Sequence, residues 1–214
     1  MRHALPLLLC ATLAGCAGTQ PHPYADLPAS RELRLNTQDP SGRIPYRYSA
    51  YVDWKTYRNV ILDPVVIYQG ADHQFNAINA NERLILARYM DQQFADTLQG
   101  RFKPVQRPAP RTLRIRLTLT GAERTTPYLG TFSRFDLAGG PYNLVQTLRG
   151  NKGSFTGSVS YSVEVYNAYT NRLLDSYVTK QYPSPLDIGA THGDLTAAKA
   201  GIDKGAQMML AQFK

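Results

Sequence analysis

Leu113-Arg114-Ile115-Arg116-Leu117-Thr118-Leu119-Thr120 sets an aliphatic residue at every second position for eight residues. Side chains of a strand alternate between its two faces, so this run predicts a strand with one buried face and one wet face. Downstream, Phe155, Val159, Tyr161, Val163 and Val165 alternate in the same way with Ser158, Ser160, Ser162 and Glu164. A turn at Asn167 to Asn171 and a further β-rich run from Leu173 to about Gln181 make this a hairpin whose serines and glutamate are expected to face water.

Upstream, Asn79-x-x-Glu82 has the form of a helix-capping pair. Leu84, Ile85, Tyr89, Met90, Phe94, Leu98 and Phe102 then recur at helical spacing until Gly100 breaks the pattern. Before that helix, Tyr46 to Val52 is aromatic and strand-like, and Val60 to Tyr68 is β-branched. Within the second run Pro64 has no amide hydrogen to donate, which predicts a bulge or an edge. At the C-terminus Asp194 is placed to cap a helix carrying Leu195, Ala198, Ile202, Met209, Leu210 and Phe213 along one side. The order β, α, β, hairpin, α predicts an α+β fold, with a mixed or mainly antiparallel sheet and two amphipathic helices packed on one face.

The 214 residues are 43% hydrophobic and 19% charged, an ordinary balance for one folded domain large enough to need no disulfides. Its first fifteen residues read as an export leader: Arg2 and His3, an apolar run from Ala4 to Leu13, then Ala14 and Gly15. That run is too short to span a bilayer, which takes roughly 20 apolar residues. Leu13-Ala14-Gly15-Cys16 matches the bacterial lipoprotein box at all four places. By that resemblance the leader is cut before Cys16, whose thiol and new amino group are acylated; several acyl chains hold a protein on a membrane where one does not. Position 17 is Ala rather than Asp, which favours the outer membrane, with the domain facing the periplasm.

The expected organisation is therefore a cleaved signal peptide over 1–15, a lipidated N-terminus and flexible tether over 16–43, and a single α+β periplasmic domain over 44–214. The tether assignment rests on Pro21, Pro23, Pro28, Pro40 and Gly42 in a polar stretch without apolar period.

Tyr51-x-x-Trp54-x-x-Tyr57-x-x-Val60-x-x-Asp63-Pro64-Val65, followed by an amphipathic helix, an alternating strand and Val163-Glu164-Val165, resembles the bacterial outer-membrane lipoproteins of the domain-of-unknown-function family thirty-three thirteen. The resemblance runs from about Tyr46 to the C-terminus. Val165-Tyr166-Asn167-Ala168 departs from the acidic and small residues that usually continue the family's strand. The resemblance implies a lipoprotein with an α+β domain and brings no catalytic residues with it.

Chemistry-bearing patterns are few. No Gly-x-Ser-x-Gly elbow or phosphate-cradling glycine loop is present, and Cys16 is the sole cysteine left after processing. His22 falls in the expected tether. His73 and His192 stand beside Asp72 and Asp194, which would form a site only if their loops met, so neither a metal nor a cofactor is expected. Asp53 and Asp63 are the acids in the aromatic segment and form the pair to test for glycan cleavage, although Asp63 before Pro64 reads more simply as a turn residue.

Residues 125 to 153 have no period but carry Tyr128, Phe132, Phe135, Leu137 and Tyr142 among glycines. They are either a satellite core folded over the sheet or a binding loop, with Tyr128, Phe132, Phe135 and Tyr142 as its contact residues. Arg111, Arg114 and Arg116, after Arg101, Lys103 and Arg107, form the most basic stretch of a chain with net charge +8. Export removes nucleic acid as a partner and leaves anionic envelope polymers, lipid headgroups or other envelope proteins. The expected function is a non-enzymatic envelope adaptor or binding module, joined to the membrane through its N-terminal lipid. The alternatives are an envelope glycan hydrolase using an acid pair and a lipoprotein component of a secretion or transport assembly.

Overall fold

The computed structural model describes residues 19–124, 157–183 and 194–214. Among them, an eight-stranded mixed sheet carries two helices on one face. Its strands are β1 (Arg34–Leu35), β2 (Tyr46–Ser49), β3 (Asn59–Leu62), β4 (Val66–Ile67), β5 (Lys103–Pro104), β6 (Thr112–Glu123), β7 (Ser158–Asn167) and β8 (Leu173–Gln181). The order across the sheet is β1-β2-β8-β7-β6-β3-β5, with β4 also on β6. Pairing is antiparallel from β1 to β6 and parallel where β3 and β4 meet β6 and where β5 meets β3.

The expected alternation of β6 is present: Leu113, Ile115, Leu117 and Leu119 are buried toward the helices, while Arg114, Arg116 and Thr118 are half-buried on the other face. Val159, Tyr161, Val163 and Val165 of β7 join the same core. Pro64 divides the β-branched run into two strands, β3 and β4, that lie parallel to β6 one after the other. The break is held from across the core, where the Val65 N–H donates to Asp91 Oδ1 at 2.8 Å.

Helix α1 (Ala80–Gln99) opens on a reciprocal capping box: Asn79 accepts from the Glu82 N–H and the Glu82 carboxylate accepts from the Asn79 N–H. Its buried stripe is Leu86, Ala87, Met90, Phe94 and Leu98, so Leu84 and Ile85 are exposed rather than core, and Phe102 is buried beyond the helix end. Helix α2 (Thr196–Gln212) begins without a side-chain cap, and the Asp194 carboxylate pairs with Arg124 instead of capping it. Its inner face is built of Ala197, Ala198, Gly201, Gly205 and Ala206 beside Ile202 and Met209. A Cβ at Gly201 would lie 2.8 Å from the Gln181 carbonyl oxygen, so glycine is what lets α2 lie directly on β8.

The largest departure from expectation is the other sheet face. Ser158, Ser160, Ser162 and Glu164 are buried, not wet. The segment expected to be a free tether covers them from residue 19 onward. Tyr24 is fully buried, and Leu33, Tyr68 and Val178 form a second apolar cluster with it. A short 3-10 helix, Pro28–Arg31, lies over β7, where the Ala29 N–H donates to Glu164 Oε1 at 2.9 Å. Leu33 leads into β1, and Arg43 is buried against the end of β8, donating to Gln181 Oε1 at 3.0 Å and to the Tyr182 carbonyl. The folded unit thus starts well before residue 44. Prolines that suit a linker equally suit an irregular strap, since both lack a repeating hydrogen-bond ladder.

Candidate functional site

The strap does not cover the whole face. Between Asp26-Leu27-Pro28 on one side and Asp63 to Gly70 on the other lies a cleft of about 500 Å³, floored by Arg116, Leu117, Thr118 and Glu164. Its walls are mainly apolar, from Leu27, Pro28, Pro64, Val66 and Ile67. Val66 is 59% exposed at the mouth.

One end of the cleft is an ionic cluster. Arg114 Nε donates to both Asp63 oxygens at 3.0 and 2.8 Å, and Arg116 Nε donates to Asp63 Oδ2 at 3.1 Å. Arg114 and Arg116 are two residues apart on one strand and therefore share a face, which is why a single carboxylate serves both. The Asp63 hydrogen bond raises the Arg114 guanidinium above its ordinary pKa. The Arg116 guanidinium also lies 5.1 Å from the Tyr166 ring centroid. Burial, with Glu164 beside it, pushes the Tyr166 phenol up to about 12.

At the opposite end the strap is tied to the sheet. Tyr68 donates its hydroxyl to Asp72 Oδ1 at 2.6 Å, and Asp72 Oδ2 meets His22 Nε2 at 3.2 Å and accepts from the Ala25 N–H. Burial raises the Asp72 carboxyl, but the hydrogen bonds from Tyr68, Ala25 and His22 outweigh it and hold the group below its ordinary value. Tyr24 completes the knot, donating to Gln74 Oε1 at 3.2 Å and packing 5.2 Å from the Tyr68 ring.

The expected site residues divide accordingly. Arg114 and Arg116 border the cleft region, but they are paired with Asp63 and do not form a free basic patch. Arg111 stands apart at the start of β6 with a left-handed backbone, its Nε donating to the Thr56 carbonyl. It joins Arg58 and Lys103 there, because the Arg58 N–H bonds to the Arg111 carbonyl and the Lys103 N–H to the Arg58 carbonyl. The exposed basic cluster is therefore at this end of the sheet. Asp53 caps the 3-10 turn Trp54–Thr56, whereas Asp63 follows β3 and binds arginines rather than its own turn. Asp53 precedes β3 and Asp63 follows it, so the two acids are separated by the length of a strand of about 13 Å.

Asp72 meets His22, not His73, whose ring packs on Phe75. Among the described residues no group of three or more His, Cys, Asp or Glu is placed to hold a metal. Cys16, His192 and the loop residues Tyr128, Phe132, Phe135 and Tyr142 lie outside the described residues. Sequence reading missed Tyr68, Glu164 and the strap residues Leu27 and Pro28. A lone carboxylate in a serine and valine strand was the available signal for Glu164, and the strap contacts had none, because their partners lie far away in the chain.

Fold and cleft together define an α+β mixed-sheet domain with a mainly apolar cleft walled on one side by its own N-terminal strap. The chain belongs to the DUF3313 family, described as a protein of unknown function, whose model matches residues 23–209. That match takes in most of the strap. No curated protein sequence matches the chain.

Among solved structures it is similar to the PelC dodecamer from Paraburkholderia phytofirmans, at 9% identity and a TM-score of 0.38 over 78% of this chain and 91% of that one. A single-residue variant of that dodecamer gives 7% identity and 0.39 over 75% and 92%. Protein XCC0632 from Xanthomonas campestris, of family DUF330, gives 8% identity and 0.37 over 73% and 83%. No helix among the described residues is long and apolar enough to cross a membrane.

Proposed function

We propose that this is a lipid-anchored protein of the cell envelope, held to the outer membrane through Cys16, whose periplasmic domain is a non-enzymatic binding module or adaptor. The observation that carries the binding reading is that Asp63, Arg116 and Glu164, the charged side chains at the floor and end of the cleft, are already engaged. Asp63 is shared by Arg114 and Arg116, and Glu164 accepts from the strap at Ala29. General acid–base chemistry needs a group within reach of the substrate and free to exchange a proton, and these groups are spent on structure. What the cleft offers a ligand is apolar wall, which favours an apolar or amphipathic partner segment. The basic end formed by Arg58, Lys103 and Arg111 is a second surface, suited to an anionic envelope polymer.

Growth on radiolabelled fatty acid tests the anchor. Label is expected on the wild type and on Cys10→Ser, and none on Cys16→Ser; label on Cys16→Ser refutes the anchor. A photo-crosslinking residue placed at Val66 tests the cleft, with the same residue at exposed Leu84 on α1 as the control. Specific adducts are expected from Val66 alone, and identical adduct patterns at both positions refute the cleft as the binding surface.

A further inference from the structure

Lys180 is buried in the sheet to about 5% side-chain exposure, and its ammonium donates to the Thr19 carbonyl at 2.7 Å and to Glu123 Oε1 at 2.8 Å. Glu123 Oε2 in turn accepts from the Ser158 hydroxyl at 2.9 Å. A buried ammonium satisfied in this way is a fixed point, since breaking one of its contacts leaves a charge away from water. Residue 19 is therefore pinned to one particular end of the sheet, where β6 and β8 finish and β7 begins. The neighbouring strap is pinned there too, because Gln74 Nε2 donates to the Gln20 carbonyl at 2.9 Å and Gln74 bridges to Gly121 at the end of β6.

Cys16 precedes Thr19 by three residues, and three residues span at most about 11 Å however they are arranged. A free chain of the 27 residues from 17 to 43 would have an end-to-end distance of about 30 Å and would leave the domain without orientation. We infer that the Lys180–Glu123 end of the sheet faces the anchoring membrane at near contact, so that the opposite end, with Arg58, Lys103 and Arg111, points away from it. This deepens the anchor reading and rests on acylation of Cys16. The length of β7, ten residues at about 3.3 Å each, sets the two ends about 30 Å apart.

Removal of the leader leaves Cys16 as the one cysteine, so a single added cysteine is a unique labelling site on the acylated protein. Asn76→Cys places an exposed dye at the membrane-facing end, two residues from Gln74. Tyr169→Cys places one in the β7–β8 turn, where Tyr169 is 67% exposed. The acylated protein is reconstituted in phosphatidylethanolamine and phosphatidylglycerol vesicles containing an acceptor-labelled lipid, and energy transfer gives the height of each dye.

The expected result is an Asn76 dye close to the surface and a Tyr169 dye about 30 Å higher. A spacer of 20 Gly and Ser residues inserted between Ala17 and Gly18 is expected to erase the difference, because it restores a flexible reach of about 25 Å. Equal heights for the two dyes on protein that does carry fatty acid overturn the orientation while leaving the anchor intact. Protein carrying no fatty acid at Cys16 overturns both.

Discussion

Replacing Tyr24 by Ala tests whether residues 19–43 are part of the folded unit. The Tyr24 side chain is fully buried, packs on Tyr68 and His22, and lends its hydroxyl to Gln74. Truncating a buried aromatic side chain to Ala costs about 3–5 kcal/mol. Among the described residues the cluster around Tyr24 has Leu33, Tyr68 and Val178 as further buried members and is covered by an irregular strap that can settle inward. The low end, about 3 kcal/mol, is therefore expected.

For a domain of this size that loss lowers the melting temperature by about 6–12 °C. Tyr24→Phe keeps the ring and removes the hydroxyl with its bond to Gln74, a loss of about 1 kcal/mol. Thermal unfolding followed by circular dichroism, on protein carrying Cys16→Ser to keep it off membranes, separates the three midpoints. Coincident midpoints for wild type and Tyr24→Ala would show that the strap adds nothing to the fold, and the tether reading would stand.

Two further outcomes follow from burial. Leu117→Ala should cost about 2–5 kcal/mol because the side chain is almost completely buried under the helices. Arg116→Ala should cost less than about 1 kcal/mol, since its ion pair is partly exposed and Asp63 keeps Arg114. Equal melting temperatures for these two variants would refute the face assignment of β6. Burial also raises the phenols of Tyr24, Tyr89 and Tyr166 to about 12, against 10 in the unfolded chain. Each then contributes stability that is fully present below pH 10 and lost as pH rises through about 12. Ultraviolet titration should show these tyrosines ionising late and together with alkaline unfolding. Ionisation of all 14 near pH 10 in protein that is still folded would contradict the burial.

Local pattern alone determined the long strands and both α-helices, but not the short strands β1 and β5. Alternation at Leu113 to Thr120 requires a strand with an aliphatic face, Asn79 with Glu82 starts α1 at its observed position, and Pro64 must interrupt a β-ladder because it has no amide hydrogen to give. Such signals work because they depend on residues within one or two turns of each other. Polarity was legible too, but not what covers it. Ser158, Ser160, Ser162 and Glu164 read as a wet face and are buried under a segment more than a hundred residues away in the chain, which supplies the Ala29 N–H that Glu164 requires.

The same limit applies to charge. Arg114 and Arg116 look like a free basic stripe until β3, running parallel to β6, delivers Asp63 to both of them. His22 and Asp72, fifty residues apart, likewise meet only when the strap is laid down. A buried polar group must find a partner, and which distant group answers it is decided by the path of the chain rather than by any local period.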